Sequence, residues 1–206
     1  PKNDLWVKEV VPFQRRIAVS WLAGYLLFSS LPMIIFATLG PEASGRFGMT
    51  WTALFGIVSL SMALVSVRIQ SFCVLIARNE LITLQKLFCS VATKSFALAL
   101  FGVLALLLAL VLGHSYGHEL SERFLSVRDV GFLGVVVLIN QVIFAQAALI
   151  RATKFEPYLL NSVVSGVAQF LLATVGTLFW GMSGLVFLML IWTLMVCLPW
   201  ALKIFN

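Results

Sequence analysis

Hydrophobic residues are concentrated in six long stretches, which are separated by short polar connections. The stretches cover residues 17–39, 49–67, 95–113, 130–150, 158–179 and 185–202. A helix needs about 20 mainly apolar residues to cross the hydrocarbon core of a bilayer, and each stretch is close to that length. Helices satisfy their backbone hydrogen bonds internally, and the ten-residue alternation of barrel strands is not seen. The pattern predicts a single all-α domain, a polytopic membrane bundle of about six transmembrane helices.

A segment near residues 79–94 has a different pattern. Polar residues recur there at spacings of three or four, and apolar residues recur at the same spacings on another face. The polar set is Asn79, Thr83, Lys86, Ser90 and Lys94, and the apolar set is Leu81, Leu84, Phe88 and Val91. The segment is predicted to be an amphipathic cytoplasmic helix, lying at the membrane surface or packed under the bundle. A gating or partner-binding role is the alternative.

Composition supports a membrane protein and excludes a soluble domain. The chain of 206 residues is 61% hydrophobic and 11% charged, whereas soluble domains have about 45–50% apolar and about 25% charged residues. The net charge of +6 does not indicate nucleic acid, because the basic residues form no single patch. They recur between the apolar stretches instead. The three cysteines lie far apart, and no metal-binding spacing links them.

The distribution of basic residues predicts the orientation. If the amino terminus is cytoplasmic, only Arg46, Arg123 and Arg128 of the 14 Lys and Arg residues lie outside. Cytoplasmic loops carry such an excess of Lys and Arg. Both termini are therefore predicted to be cytoplasmic.

Chemistry-bearing motifs are scarce in this sequence. It has no nucleophile elbow, no phosphate-binding loop and no paired intramembrane carboxylates, so no enzyme activity and no cofactor are predicted. Glu119, Glu122 and Asp129 are interspersed with arginines and indicate an exposed loop of mixed charge. The spans do contain amides, namely Asn140, Gln141, Gln146, Asn161 and Gln169. Such groups either hydrogen-bond between helices or line a substrate path, and Pro32 is predicted to kink the first span.

Four short sequence motifs in the first 80 residues are similar to those of a known family. They are Pro12-Phe13-Gln14-Arg15-Arg16-Ile17-Ala18, Gly40-Pro41-Glu42-Ala43, Gly45-Arg46-Phe47-Gly48-Met49 and Ala77-Arg78-Asn79-Glu80. Together they resemble a helix pair of bacterial polysaccharide biosynthesis proteins of the O-antigen flippase type, in the multidrug/oligosaccharidyl-lipid/polysaccharide exporter superfamily. The later hairpin at Gly181 and Gly184 is similar as well. Such proteins have twelve to fourteen spans in two halves, so six spans without an initial methionine correspond to a carboxy-terminal half.

The resemblance implies a transporter of the bacterial inner membrane. It would move undecaprenyl-pyrophosphate-linked sugar units across that membrane, with membrane lipid and the remaining half of the transporter, or other polysaccharide-assembly proteins, as partners. From residue type and depth, the candidates for the pyrophosphate are Arg15, Arg16, Arg68 and Gln70. The candidates for a sugar-facing surface are Asn140, Gln141 and Gln169. The basic residues could equally set topology and contact anionic lipid headgroups.

Two other functions stay open at this point. Six spans in about 200 residues also suit a substrate-binding subunit that works with a separate ATPase. A membrane-embedded enzyme of glycan or lipid synthesis is the third reading, although no acid/base constellation supports it. Some 200 residues of similar hydrophobic pattern upstream of Pro1 would favour the flippase.

Overall fold

The computed structural model describes residues 11–117, 119–153 and 157–205, and every regular element in this part of the chain is helical. The α-helices are α1 (Val11–Leu39), α2 (Pro41–Ser66), α3 (Ile69–Ala77), α4 (Leu81–Ser115), α5 (Glu119–Glu122), α6 (Val127–Arg151), α7 (Tyr158–Trp192) and α8 (Leu198–Phe205). A π-helical turn, Thr193–Cys197, joins α7 to α8. The predicted all-α fold is confirmed.

Four helical stretches are long and apolar enough to cross a membrane. They are Pro41–Ala77, Leu81–Ser115, Val127–Arg151 and Tyr158–Phe205. Of α1, the described apolar part runs over Ser29–Leu39, within a helix of 29 residues. The chain is therefore a membrane-embedded helical bundle.

A chain reversal at Gly181 divides the last of these stretches in two. Gly181 has a φ of 67° and a ψ of −152°, a conformation that glycine adopts at no steric cost. A Cβ built on Gly176 would lie 2.8 Å from the Cα of Leu185, whereas nine residues of straight helix span about 13 Å. The segments 158–180 and 182–205 are thus antiparallel, as the fifth and sixth predicted spans require.

The first two helices are joined by Gly40 alone. Gly40 has a φ of 90°, and Pro41 occupies the first turn of α2, where its missing N–H is not needed. The hydroxyl of Ser44 donates to the carbonyl of Pro32 at 2.9 Å. Because this bond joins residues on either side of the Gly40 turn, α1 and α2 form an antiparallel pair with a very short connection. Helix α1 itself continues through Pro32 without interruption.

The predicted amphipathic helix near 79–94 is not a separate element. A turn at residues 78–80, with Asn79 at a φ of 59°, ends the short helix α3. Helix α4 then runs without a break for 35 residues, because no Gly or Pro separates the amphipathic segment from the third predicted span. The predicted polar face is exposed at Lys86, Ser90 and Lys94. Of the predicted apolar face, Leu84 and Phe88 are buried and Val91 is half-buried, but Leu81 is exposed.

The bundle has two distinct ends. At one end the aromatic ring of Phe88 lies 5.8 Å from that of Phe205, and Tyr158 is buried against Ala201. We call this the basic end, because the elements that meet there carry Arg68, Arg78, Lys86, Arg151 and Lys203. At the opposite end, the far end, lie the turns at Gly40 and Gly181 and the polar connection between α4 and α6, with Arg46, Arg123 and Arg128.

Small residues allow α2, α4 and α6 to approach one another closely. A Cβ on Gly102 of α4 would lie 2.6 Å from Ile57 of α2, and one on Gly134 of α6 would lie 2.7 Å from Val103 of α4. Lipid provides no hydrophobic driving force between helices, so close van der Waals packing at small residues has to stabilise the bundle. Helices α2, α4 and α6 therefore pack closely against one another.

Candidate functional site

The outward face of α2 carries a line of mainly small and polar residues, flanked by the exposed side chains of Phe55, Leu60 and Leu64. We call this line the α2 stripe; its members are Gly45, Met49, Thr52, Gly56, Ser59, Ala63 and Ser66, all exposed. Successive members are three or four residues apart, so they share one face of the helix. The opposite face is buried in the bundle through Phe47, Thr50, Leu54, Val58, Ser61 and Val65.

The composition of the α2 stripe is unusual for a surface that faces lipid. Two of its seven positions are glycine and three are hydroxyl-bearing, and a Cβ on Gly45 or Gly56 would meet no described atom within 4 Å. Within membranes, small and polar residues are enriched where a helix meets another helix or a wet cavity. The stripe has the composition of such a contact surface, and it lies on the outside of the bundle.

The length of the α2 stripe matches the membrane. From Gly45 to Ser66 the helix rises over 21 residues, or about 32 Å, which is close to the roughly 30 Å of a hydrocarbon core. The stripe is therefore long enough to extend from one side of the core to the other.

Charged residues flank the far end of the α2 stripe. The Arg46 guanidinium pairs with the Glu42 carboxylate at 2.8 Å, and both side chains are well exposed. They border an open cavity of about 560 Å³, whose other lining residues are Gly45, Met49, Glu122 and Arg123. Arg68 and Gln70 follow the basic end of the stripe and are exposed.

The predicted pyrophosphate residues lie at the basic end, on two separate elements. Arg68 precedes α3 and Gln70 is in its first turn, and both are exposed. Arg15 is exposed near the start of α1, whose opposite end is held at the far end of the bundle by Ser44. The side chain of Arg16 lies outside the described part of the structure.

The predicted sugar-facing residues lie inside the bundle and not on the α2 stripe. Gln141 is 1% exposed and its Nε2 donates to the Ser95 hydroxyl at 2.6 Å. Gln169 is also buried. The half-buried Asn140 donates to the carbonyl of Val136 in its own helix. For Gln141, this geometry is that of a hydrogen bond between helices, the alternative that the sequence left open.

One acidic residue is placed differently from the sequence-based expectation. Asp129 was predicted to belong to an exposed loop, but it is 5% exposed. Its Oδ2 accepts hydrogen bonds from the hydroxyls of Ser126 at 2.8 Å and Ser183 at 3.2 Å. Ser126 also caps α6, accepting from the Asp129 backbone N–H, so the carboxylate lies in the first turn, where the helix dipole favours a negative charge. Asp129 thereby joins α6 to the hairpin at Gly181.

No protein-family model, curated protein or solved structure matches this chain. Among the described residues, no group of three or more His, Cys, Asp or Glu side chains could hold a metal ion. The α2 stripe and the charges at its two ends form the candidate site of this chain.

Proposed function

We propose that this chain is part of a transporter that moves lipid-linked oligosaccharide across the bacterial inner membrane, with the α2 stripe forming one wall of the path. The observation that carries the proposal is the composition and extent of that stripe. Most residues of the stripe are small or hydroxyl-bearing, and all are exposed. The length of the stripe is close to the thickness of the hydrocarbon core.

The chemistry of such a substrate fits a path of this kind. Its polyprenyl chain is soluble in the hydrocarbon, whereas its sugars and pyrophosphate need hydrogen-bonding groups and cations throughout the crossing. Thr52, Ser59 and Ser66 offer hydroxyls along the stripe. Arg15 and Arg68 offer exposed cations at the basic end, which is the cytoplasmic end by the excess of Lys and Arg.

A single wall does not enclose a path, so the proposal requires a second unit opposite the α2 stripe. The resemblance to O-antigen flippases implies that this second unit is the other half of a twelve- to fourteen-span protein. The alternative transporter, a six-span subunit with a separate ATPase, would instead use another copy or another subunit. Both are transport functions, and both leave the α2 stripe facing the path.

The pyrophosphate residues provide the test. In the full-length protein, the double substitution Arg15→Gln and Arg16→Gln is expected to reduce surface polysaccharide while the amount of inserted protein stays unchanged. Lys203→Gln, which removes an exposed charge at the same end of the bundle, is the matched control and is expected to have no effect. Immunoblots of membranes and of surface polysaccharide measure both quantities. Normal export in the double variant would refute the role of these arginines.

A further inference from the structure

The open cavity at the far end of the bundle lies between two separate parts of the chain. Its lining residues are Glu42, Gly45, Arg46 and Met49 on α2 and Glu122 and Arg123 on the connection between α4 and α6. Two of them, Gly45 and Met49, are also members of the α2 stripe. The cavity is therefore continuous with the far end of that stripe.

The two walls of the cavity are joined by the buried side chain of Thr50. Its hydroxyl donates to the carbonyl of Arg46 at 2.9 Å and accepts from the backbone N–H of Leu125 at 3.1 Å. Leu125 and Ser121 are both buried, and Arg123 lies between them in the sequence. The charged side chains on both walls thus extend from an anchored backbone, which limits the entropy that a bound ligand would cost.

The charges around the cavity balance, because it is lined by two guanidinium groups and two carboxylates. The Arg46 guanidinium pairs with the Glu42 carboxylate at 2.8 Å, and Glu122 adjoins Arg123 in the sequence. A guanidinium only donates hydrogen bonds, and an ionised carboxylate only accepts them. A hydroxyl does both, so a ligand with several hydroxyls can bond to every charged group of the cavity.

We propose that this cavity is a saccharide-binding site, in which the arginines donate to sugar hydroxyls and the glutamates accept from them. Its volume of about 560 Å³ lies within the roughly 300–1,000 Å³ that is usual for small-molecule sites. Met49 is 37% exposed and offers an apolar contact for the C–H face of a sugar ring.

The source of the saccharide rests on the proposed function, which makes it the sugar unit of the lipid-linked oligosaccharide. In the orientation given by the basic residues, the far end is the outer end of the bundle. The site then binds sugar units that have reached the outer side along the α2 stripe.

A pyrophosphate group does not fit the same chemistry. The guanidinium groups of Arg46 and Arg123 would attract it, but the carboxylates of Glu42 and Glu122 carry the opposite charge and would repel it. A carboxylate also has no proton to donate to a phosphate oxygen. The neutral, hydroxyl-rich part of the substrate is therefore the ligand that uses all four groups.

Saturation-transfer difference NMR on the full-length protein in nanodiscs tests the site without a transport assay. The probe is the oligosaccharide that mild acid releases from the lipid-linked pool of the same bacterium. We expect magnetisation transfer to sugar protons with the native protein. In Arg123→Gln the affinity should fall by at least about tenfold, because hydrogen bonds to a charged group typically contribute that much or more.

Arg128→Gln is the matched control, since it removes the same charge at the same end of the bundle. The guanidinium of Arg128 lies 5.4 Å from the centre of the Phe132 ring and does not line the cavity, so this variant should bind like the native protein. Equal affinities of Arg123→Gln and Arg128→Gln would overturn the proposal, and so would absence of transfer with the native protein. Displacement of the oligosaccharide by inorganic pyrophosphate would overturn it as well, by indicating an anion site.

The transport function is judged by a separate measurement, surface polysaccharide in cells that lack the protein. Loss of polysaccharide in those cells without oligosaccharide binding in the NMR experiment would overturn the saccharide site alone. Binding in the NMR experiment with normal polysaccharide in those cells would overturn the transport function and support the site.

Discussion

The outward faces of α2 and α7 have the same geometry and opposite chemistry. Each is a line of residues at spacings of three or four along a membrane-spanning helix. On α7 the line consists of Leu160, Val164, Val167, Leu171, Val175 and Leu178, which are all large, apolar and exposed; we call it the α7 stripe. On α2 the corresponding positions are glycine, alanine, serine, threonine and one methionine.

The difference indicates that the two stripes are suited to different surroundings. Acyl chains solvate large aliphatic side chains well, and the α7 stripe provides them at every position. The α2 stripe provides hydroxyls, for which lipid offers no hydrogen bonds, and glycines, which have no side chain for acyl chains to contact. Since both helices cross the same membrane, we infer that the α2 stripe meets a different environment, either water in a path or another polypeptide.

The largest expected difference follows from placing a charge on each stripe. Leu171→Lys puts an ammonium against lipid near mid-membrane, which costs about 2.5–3.5 kcal/mol on insertion scales. Ser59→Lys puts the same group on the α2 stripe, where a wet path would solvate it. We expect Leu171→Lys to lower the amount of inserted protein strongly and Ser59→Lys to leave it near the native level, as measured by immunoblots of washed membranes. Equal losses in the two variants would mean that the stripes face the same solvent.

A smaller difference is expected when bulk is added to each stripe. Gly56→Leu adds a side chain to a position with open space around it, so the bundle itself should fold normally. In a transport path the leucine would obstruct the substrate, and surface polysaccharide should fall by about tenfold, which corresponds to about 1.4 kcal/mol in the barrier. The control Val167→Leu on the α7 stripe should leave export unchanged. Normal export with Gly56→Leu would exclude the α2 stripe from the path.

The smallest expected difference is in thermal stability, between a variant in the interior of the bundle and a variant on the α2 stripe. Ser95→Ala removes a buried hydroxyl that both donates to Ser61 and accepts from Gln141; such interhelical bonds contribute about 0.6 kcal/mol on average. Ser59→Ala removes an exposed hydroxyl of the α2 stripe and should not change the unfolding temperature. Thermal unfolding in detergent compares the two variants. A stability loss with Ser59→Ala as large as with Ser95→Ala would show that Ser59 makes a structural bond.

Periodicity and glycine positions were sufficient to predict most of the fold. Gly181 was predicted to end the fifth span, and its positive φ forms the reversal. Leu84 and Phe88 were predicted to share an apolar face, and both are buried. The junction of the amphipathic segment with the third span was missed, because polarity ends a membrane span but does not end a helix.

The candidate site was less accessible to sequence reasoning. The spacing of Gly45, Thr52, Gly56 and Ser59 is visible in the sequence, but small residues at such spacing are equally common in buried helix contacts. Only the packing of Leu54 and Val58 into the core places the stripe outside. Asp129 was misassigned for the same reason: its partner Ser183 is 54 residues away, and the connection depends on the Gly181 hairpin.

The accessibility of the α2 stripe to water tests the central claim most directly. In a full-length protein whose native cysteines Cys73, Cys89 and Cys197 are replaced, Ser59→Cys and Val167→Cys can each be exposed to a small, water-soluble thiol reagent in native membranes. We expect position 59 to be labelled and position 167, which is 59% exposed on the α7 stripe, to stay unlabelled. Failure to label position 59, under conditions that label an exposed loop cysteine, would contradict a wet path along α2.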